Sequence, residues 1–404
     1  MFPSKALLTL FLLAISFVHA SPFGTAAGRS KITLSSAAKV KGRGSTNIAE
    51  TDRARVKALR EGRVNKRDVI VDITNGQAVY TAKVGIGSPP TEYTLLVDTG
   101  SSNTWVGANQ PYSPTNSSHN TGNVVSVSYG SGSFFGQEYI DTISFGGALA
   151  ISEQSIGVAA LSRGLEGTGI DGILGLGPKD LTKGTISNTS SVPTIVDNLY
   201  GEGKINCAVL GIYFTPASAS SSGELTFGGY DLSAITGAVN YAPITETYPA
   251  STFWGVDQWV SYGGETILPI GAGIIDTGTT LILIATDAFQ AYQATTGGVL
   301  DETTGLLSIT QSQYHNLKTL SFHIGEYAYD LTPNAQIWPR SLNSAIGGDS
   351  DSIYLVVSDI GTPSGSGMDL VNGYTFLERY YSVYDTTNSL IGFATTNYTA
   401  STSN

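Results

Sequence analysis

Residues Leu95-Leu96-Val97-Asp98-Thr99-Gly100-Ser101-Ser102-Asn103-Thr104-Trp105 form an apolar run that stops on a carboxylate and enters a tight polar turn. A near copy, Ile274-Ile275-Asp276-Thr277-Gly278-Thr279-Thr280, lies 178 residues downstream. One Asp-Thr-Gly is an ordinary turn, because each of its residues suits turns. Two copies, each behind an apolar strand and each followed by a hydroxyl residue, point to a doubled domain that sets two aspartates opposite each other.

The residue types fit a specific chemistry. Two carboxylates held in contact cannot both ionise, so they share a proton and titrate as a pair. One then acts as base on a water molecule while the other donates to the carbonyl under attack. Gly100 and Gly278 let backbone N–H groups approach the carboxylates, and Ser101 and Thr279 can donate to their outer oxygens. Thr99 and Thr277 are placed to tie the two loops together.

The 404 residues suit two domains. Charged residues are only 13% of the chain and glycines number 48, which favours a β-rich protein. Strands are predicted over 79–87, 93–97, 124–129, 136–145, 171–178, 225–229, 253–262, 267–275, 320–324, 327–331 and 390–394. Gly130-Ser131-Gly132-Ser133 reads as a hairpin tip. Short helices are predicted over 193–200 and 286–292, and 374–384 reads as an apolar closing segment.

The charge is divided unevenly. Residues 1–67 hold 13 Lys/Arg against 3 Asp/Glu, and residues 68–404 hold 8 against 29. Residues 1–20 have the form of a secretory signal: Lys5, an apolar run from Leu7 to Val18, then Val18-His19-Ala20. That run is short for a membrane anchor. The basic segment 21–67 ends at the dibasic pair Lys66-Arg67 and reads as a propeptide rather than a nucleic-acid-binding arm. A basic segment docks on an acidic body and leaves when carboxylates are protonated. The acidic body itself suits work at low pH and implies instability near neutrality.

Cys207 is the single cysteine, so no internal disulfide forms; the apolar residues after it suggest a buried place in a strand. His119, His315 and His323 have no metal-ligand spacing, and neither a metal nor a cofactor is expected. The sequons at Asn116, Asn188 and Asn397 suit glycans on surface loops.

With these motifs in place, the chain resembles the pepsin family of aspartic endopeptidases, and within it the secreted acid proteases of basidiomycete fungi. The likeness is carried by residues 97–105, 129–133, 171–175, 275–280, 335–340 and 376–385. It implies a mainly β, bilobal fold of two related β-barrel-like lobes, 68–240 and 241–404, with the cleft between them. It implies Asp98 and Asp276 as the catalytic dyad and Tyr129 as the flap tyrosine, with the Trp105 indole N–H bonded to it. Gly130 and Ser131 correspond to flap positions whose backbone binds substrate as an added strand, and Gly100 and Gly278 to further backbone contacts. Ile173 and Ile274 correspond to apolar specificity pockets.

The resemblance further implies a secreted, monomeric zymogen that cuts protein at acid pH, is inhibited by pepstatin, and uses neither nucleic acid nor membrane. A prosegment Lys sits between the aspartates in this family, with Lys39 and Lys41 as candidates here. Two departures stand out. Asn372 falls where an apolar residue is usual, and Ser131 replaces an acidic flap residue, which implies cleavage between apolar or aromatic residues. The alternatives are a catalytically silent pepsin-like binding protein, which loss of either aspartate would signal, and a glycosidase, which needs no matched turns.

Overall fold

A computed structural model describes residues 32–40, 47–61, 78–129, 132–146, 149–216, 219 and 223–402. The signal at 1–20, Lys41, Lys66-Arg67, Gly130 and Ser131 lie outside the described residues.

The first half runs β1 (Ile32–Val40), α1 (Ile48–Arg60), β2 (Ala78–Ile86), β3 (Thr91–Asp98), β4 (Trp105–Val106), β5 (His119–Tyr129), β6 (Gly132–Ser144), β7 (Ala150–Arg163), β8 (Gly172–Gly175), α2 (Ile195–Gly201), β9 (Val209–Tyr213) and β10 (Gly223–Phe227). The second half runs β11 (Asn240–Pro243), β12 (Gly255–Tyr262), β13 (Glu265–Ile275), β14 (Ile282–Ile284), α3 (Thr286–Thr296), β15 (Val299–Leu300), β16 (Leu307–Ile309), α4 (Gln311–His315), β17 (Leu320–Ile324), β18 (Tyr327–Leu331), β19 (Ile353–Tyr354), β20 (Val357–Asp359), β21 (Leu370–Asn372), α5 (Tyr374–Leu377), β22 (Tyr380–Asp385) and β23 (Leu390–Thr395).

Among the described residues these strands form a 13-stranded sheet, a 7-stranded sheet and a 3-stranded sheet. The fold is mainly β and bilobal. Each half repeats one arrangement around its Asp-Thr-Gly turn. In the first, β3 runs parallel to β8, which pairs antiparallel with β4. In the second, β13 runs parallel to β21, which pairs antiparallel with β14. Strands buried on both faces read as unbroken apolar runs, as Leu95-Leu96-Val97 and Ile274-Ile275 do. The halves are interlocked. β22 and β23, the last strands of the chain, join β9 in the larger sheet. Trp254 Nε1 also donates to the Leu176 carbonyl 3.0 Å away.

Among the segments that differ from the sequence reading, three bear on the site. β7 was not anticipated, yet it runs for 14 residues along β6 and also pairs parallel with β4. The closing segment breaks in two, because the N–H groups of Tyr374 and Thr375 bond back to the Thr279 and Thr280 carbonyls and wind one turn of helix before β22 begins. The basic segment is ordered at two places. β1 is an interior strand that pairs first with β10 and then with β2. Small residues permit this insertion, since Ser36 is fully buried and a Cβ on Gly223 would stand 2.6 Å from its hydroxyl.

Candidate active site

Helix α1 starts where the Asn47 side chain accepts the Glu50 N–H at 2.9 Å, an N-cap that satisfies one of the free donors of the first turn. Ile48, Thr51, Asp52, Arg55, Val56 and Leu59 recur at helical spacing and form its buried face. That face lies over the two Asp-Thr-Gly turns.

The turns themselves are held symmetrically. Asp98 accepts from the Gly100 N–H at 2.9 Å and the Ser101 hydroxyl at 2.5 Å. Asp276 accepts from the Gly278 N–H at 2.9 Å and the Thr279 hydroxyl at 2.6 Å. Across the interface the Thr99 N–H donates to the Thr277 hydroxyl at 2.9 Å, and the Thr277 N–H to the Thr99 hydroxyl at 3.0 Å. Each hydroxyl then donates to a carbonyl of the opposite half, Thr99 to Ile275 and Thr277 to Val97. Glycine is required beside each aspartate. A Cβ on Gly100 would lie 2.5 Å from Asp276 Oδ1, and one on Gly278 would lie 2.7 Å from Asp98 Oδ1.

Both carboxylates are fully buried, and Arg55 stands between them. Its Nη2 donates to Asp98 Oδ1 at 2.7 Å and to Asp276 Oδ1 at 3.0 Å, while Nε donates to Asp276 Oδ2 at 2.8 Å. Burial pushes the Asp98 carboxyl up, with Asp276 adding to it and the Arg55 charge opposing. Burial pushes Asp276 up as well, but there the Arg55 charge and hydrogen bonds from Arg55, Thr279 and Gly278 outweigh it, leaving the carboxyl below its ordinary range. The asymmetry follows from geometry: Arg55 gives Asp276 two nitrogens and Asp98 one. One turn earlier on the helix, Asp52 accepts the N–H groups of Thr280 and Leu281 at 3.0 and 2.8 Å. Burial raises its carboxyl to about 7. Arg53 and Arg60 donate to the carbonyls of Asp359 and Met368 on the second half.

A family model described as eukaryotic aspartyl protease matches residues 79–396. The chain belongs to the pepsin family of aspartic proteases. The protease is 55% identical over 339 residues to polyporopepsin of Irpex lacteus, covering 83% of this chain and 99% of that protein. A crystal structure of aspartic proteinase from Irpex lacteus matches with a TM-score of 0.78, over 81% of this chain and 96% of that one. Gastricsin of Homo sapiens and pepsin A of Sus scrofa are each 30% identical, covering 79% and 78% of this chain and 81% and 80% of their own. The protease is a pepsin-like aspartic endopeptidase, a hydrolase.

Several expected placements change. The cation between the aspartates is Arg55, where a Lys was expected; Lys39 is in β1, opposite Val79, and Lys41 lies outside the described residues. Trp105 makes no hydrogen bond to Tyr129, because among the described residues its Nε1 has no partner. Its ring is held instead by stacking on Phe134, 4.4 Å away, which faces Val127 across the hairpin. Trp105, Tyr129 and Ile173 share one apolar cluster, whereas Ile274 has no exposure and lies in the main core. Cys207 is half-buried at the edge of a small cluster, in the bend before β9 rather than in a strand. Asn372 finds a partner in Gln258, whose Nε2 donates to Asn372 Oδ1 at 2.7 Å beneath the Asp276 turn.

Asn116, Asn188 and Asn397 are all exposed. Among the described residues no helix is long and apolar enough to cross a membrane, and no group of His, Cys, Asp and Glu is arranged to hold a metal ion.

Sequence reasoning missed Arg55, Asp52 and the helix that carries them. The signal was present as Asn47 followed by Ile48, Asp52, Arg55, Val56 and Leu59, but polar residues on a buried face hid the period.

Proposed function

We propose that the chain is a secreted zymogen in which residues 1–20 are a signal, 21–67 an inhibitory prosegment, and 68–240 and 241–404 the two lobes of an acid endopeptidase. Asp98 and Asp276 are its catalytic pair. The observation that carries this is the Arg55 guanidinium, which bonds both carboxylates where a substrate carbonyl and a water would otherwise lie.

Once α1 leaves, one carboxylate takes a proton from the water as it attacks the peptide carbonyl, and the other, protonated, donates to the carbonyl oxygen. The tetrahedral intermediate collapses as the amine leaves with a proton, and the pair returns to its single shared proton. Tyr129 and the adjoining flap residues Gly130 and Ser131 close over the peptide. The apolar cluster of Trp105, Phe134 and Ile173 supports a preference for apolar or aromatic residues at the cut. The working form is monomeric, binds pepstatin-type inhibitors, and carries glycans at the three sequons. The catalytically silent reading is disfavoured because both aspartates are present with all their supporting donors.

The test is to express the full chain, acidify it, and measure cleavage of denatured protein by wild type, Asp98→Asn and Asp276→Asn. Wild type is expected to cut and pepstatin to stop it. Either variant cutting at the wild-type rate refutes the assignment.

A further inference from the structure

Tyr80, in β2, places its hydroxyl 2.5 Å from the Thr215 carbonyl oxygen and 2.8 Å from Glu378 Oε1, the carboxyl just past α5. A phenol has one proton, and a carbonyl can only accept. Both contacts are hydrogen bonds only if Tyr80 donates to Thr215 and Glu378 supplies a second proton, donated to the Tyr80 oxygen. With Glu378 ionised, one of the two oxygen pairs would face each other with no hydrogen between them.

The surroundings favour the neutral acid. Tyr80 stacks on Phe214 at 3.7 Å and meets the Tyr374 ring edge-on at 5.6 Å. Glu378 is 9% exposed. Among the described residues no Lys or Arg forms an ion pair with it. The adjacent Arg379 directs its guanidinium to the carbonyls of Tyr398 and Ser401 and to Asn334. The titratable or charged groups facing Glu378 are thus Tyr80 from β2, Tyr374 from α5, and Arg379 beside it. Burial raises its carboxyl to about 7, with the Arg379 charge opposing.

The position matters because α5 holds the Asp276 turn: Tyr374 and Thr375 donate to the carbonyls of Thr279 and Thr280, and the Glu378 N–H closes the helix on Tyr374. We infer that Glu378 is a positioning residue kept as a neutral acid, that it bolts β2 to α5 and thereby to the Asp276 turn, and that its ionisation sets the upper pH limit of the active fold. A group whose carboxyl is raised on folding stabilises the fold most at acid pH. That contribution is lost as pH climbs from the ordinary 4.5 through about 7. The inference rests on the fold and stands apart from the catalytic roles of Asp98 and Asp276.

Glu378→Gln tests it, since an amide still donates to Tyr80 but cannot ionise. Full-length chains with and without Glu378→Gln, both carrying Asp98→Asn to prevent self-cleavage, are unfolded in denaturant at pH values from 4.5 to 8. Between these limits the folding equilibrium of the Glu378 chain is expected to fall on the order of a hundredfold more than that of the Glu378→Gln chain. In the active background, Glu378→Gln is expected to hold its activity further toward neutral pH. Parallel pH dependences of the two chains overturn the inference. Should Glu378→Gln not fold, hydrogen exchange on the Asp98→Asn chain decides the matter. Segments 78–86 and 374–385 must lose protection first as pH rises, and earlier opening elsewhere counts against the proposal.

Discussion

Arg55 binds Asp276 through two nitrogens, Nε to Oδ2 and Nη2 to Oδ1, and reaches Asp98 through Nη2 alone. The guanidinium stays charged at every working pH, so release of helix α1 has to come from the carboxylates. Two of them, Asp276 and Asp52, respond to acid in opposite directions. Asp276 is depressed below its ordinary 3.8, so its share of the docking is present above that pH and lost below it. Asp52 is raised to about 7, so its share grows as pH falls from 7 toward 3.8. Mild acid therefore tightens the helix, and strong acid frees it.

A sharp threshold follows for processing. Full-length chain held near pH 6 is expected to remain intact far longer than chain held below 3.8, as followed by gel electrophoresis over time. Steady acceleration from pH 7 downward would contradict the opposed titrations.

Arg55→Ala leaves two buried carboxylates without their counter-charge, which weakens docking of α1 by about 3–5 kcal/mol. The variant is expected to cut a peptide substrate without prior acid treatment, at a pH where wild type is silent. Arg55→Lys, which has no fork to span both carboxylates, is expected to fall between the two.

Asp52→Leu removes the acceptor for two buried N–H groups, those of Thr280 and Leu281, at a cost of about 1–3 kcal/mol for each donor left unpaired. Limited proteolysis with trypsin reads this directly, since Arg53 and Arg60 are protected only while the helix is docked. The variant is expected to be cut at these sites at least tenfold faster.

Gly100→Ala forces a methyl to within 2.5 Å of Asp276 Oδ1 and drives the two carboxylates apart. A displacement of this size is expected to lower kcat roughly a hundredfold, with KM little changed. Retained activity would mean that the pair tolerates separation.

The doubled Asp-Thr-Gly strand, β8 and the β5–β6 hairpin were legible because each is a run with one dominant period or a turn fixed by glycine. The cross-ties of Thr99 and Thr277 were legible for the same reason: a hydroxyl follows each aspartate at the same place in both turns. What escaped was polarity doing the work of packing. Arg55 and Asp52 sit on a buried face, and an amphipathic pattern read by hydrophobicity alone passes over them. Trp105 was expected to bond Tyr129 through its indole N–H; it shares an apolar cluster with Tyr129, but its ring stacks on Phe134, and that stacking depends on where two strands bring their faces together. Glu378 gave no sign at all. Its neutrality follows from counting protons at Tyr80, which needs coordinates.

β1 pairs with β10 through Ile32–Ser36 and with β2 through Ser36–Val40, so it splints two strands of the body to each other. A cut anywhere between Glu61 and Ala78 severs the covalent chain and leaves this ladder untouched. Cleavage and departure are thus separate events. In the zymogen proposed above, a nicked molecule keeps its prosegment as a bound peptide, and its affinity for that peptide, rather than the rate of the cut, governs when the cleft opens.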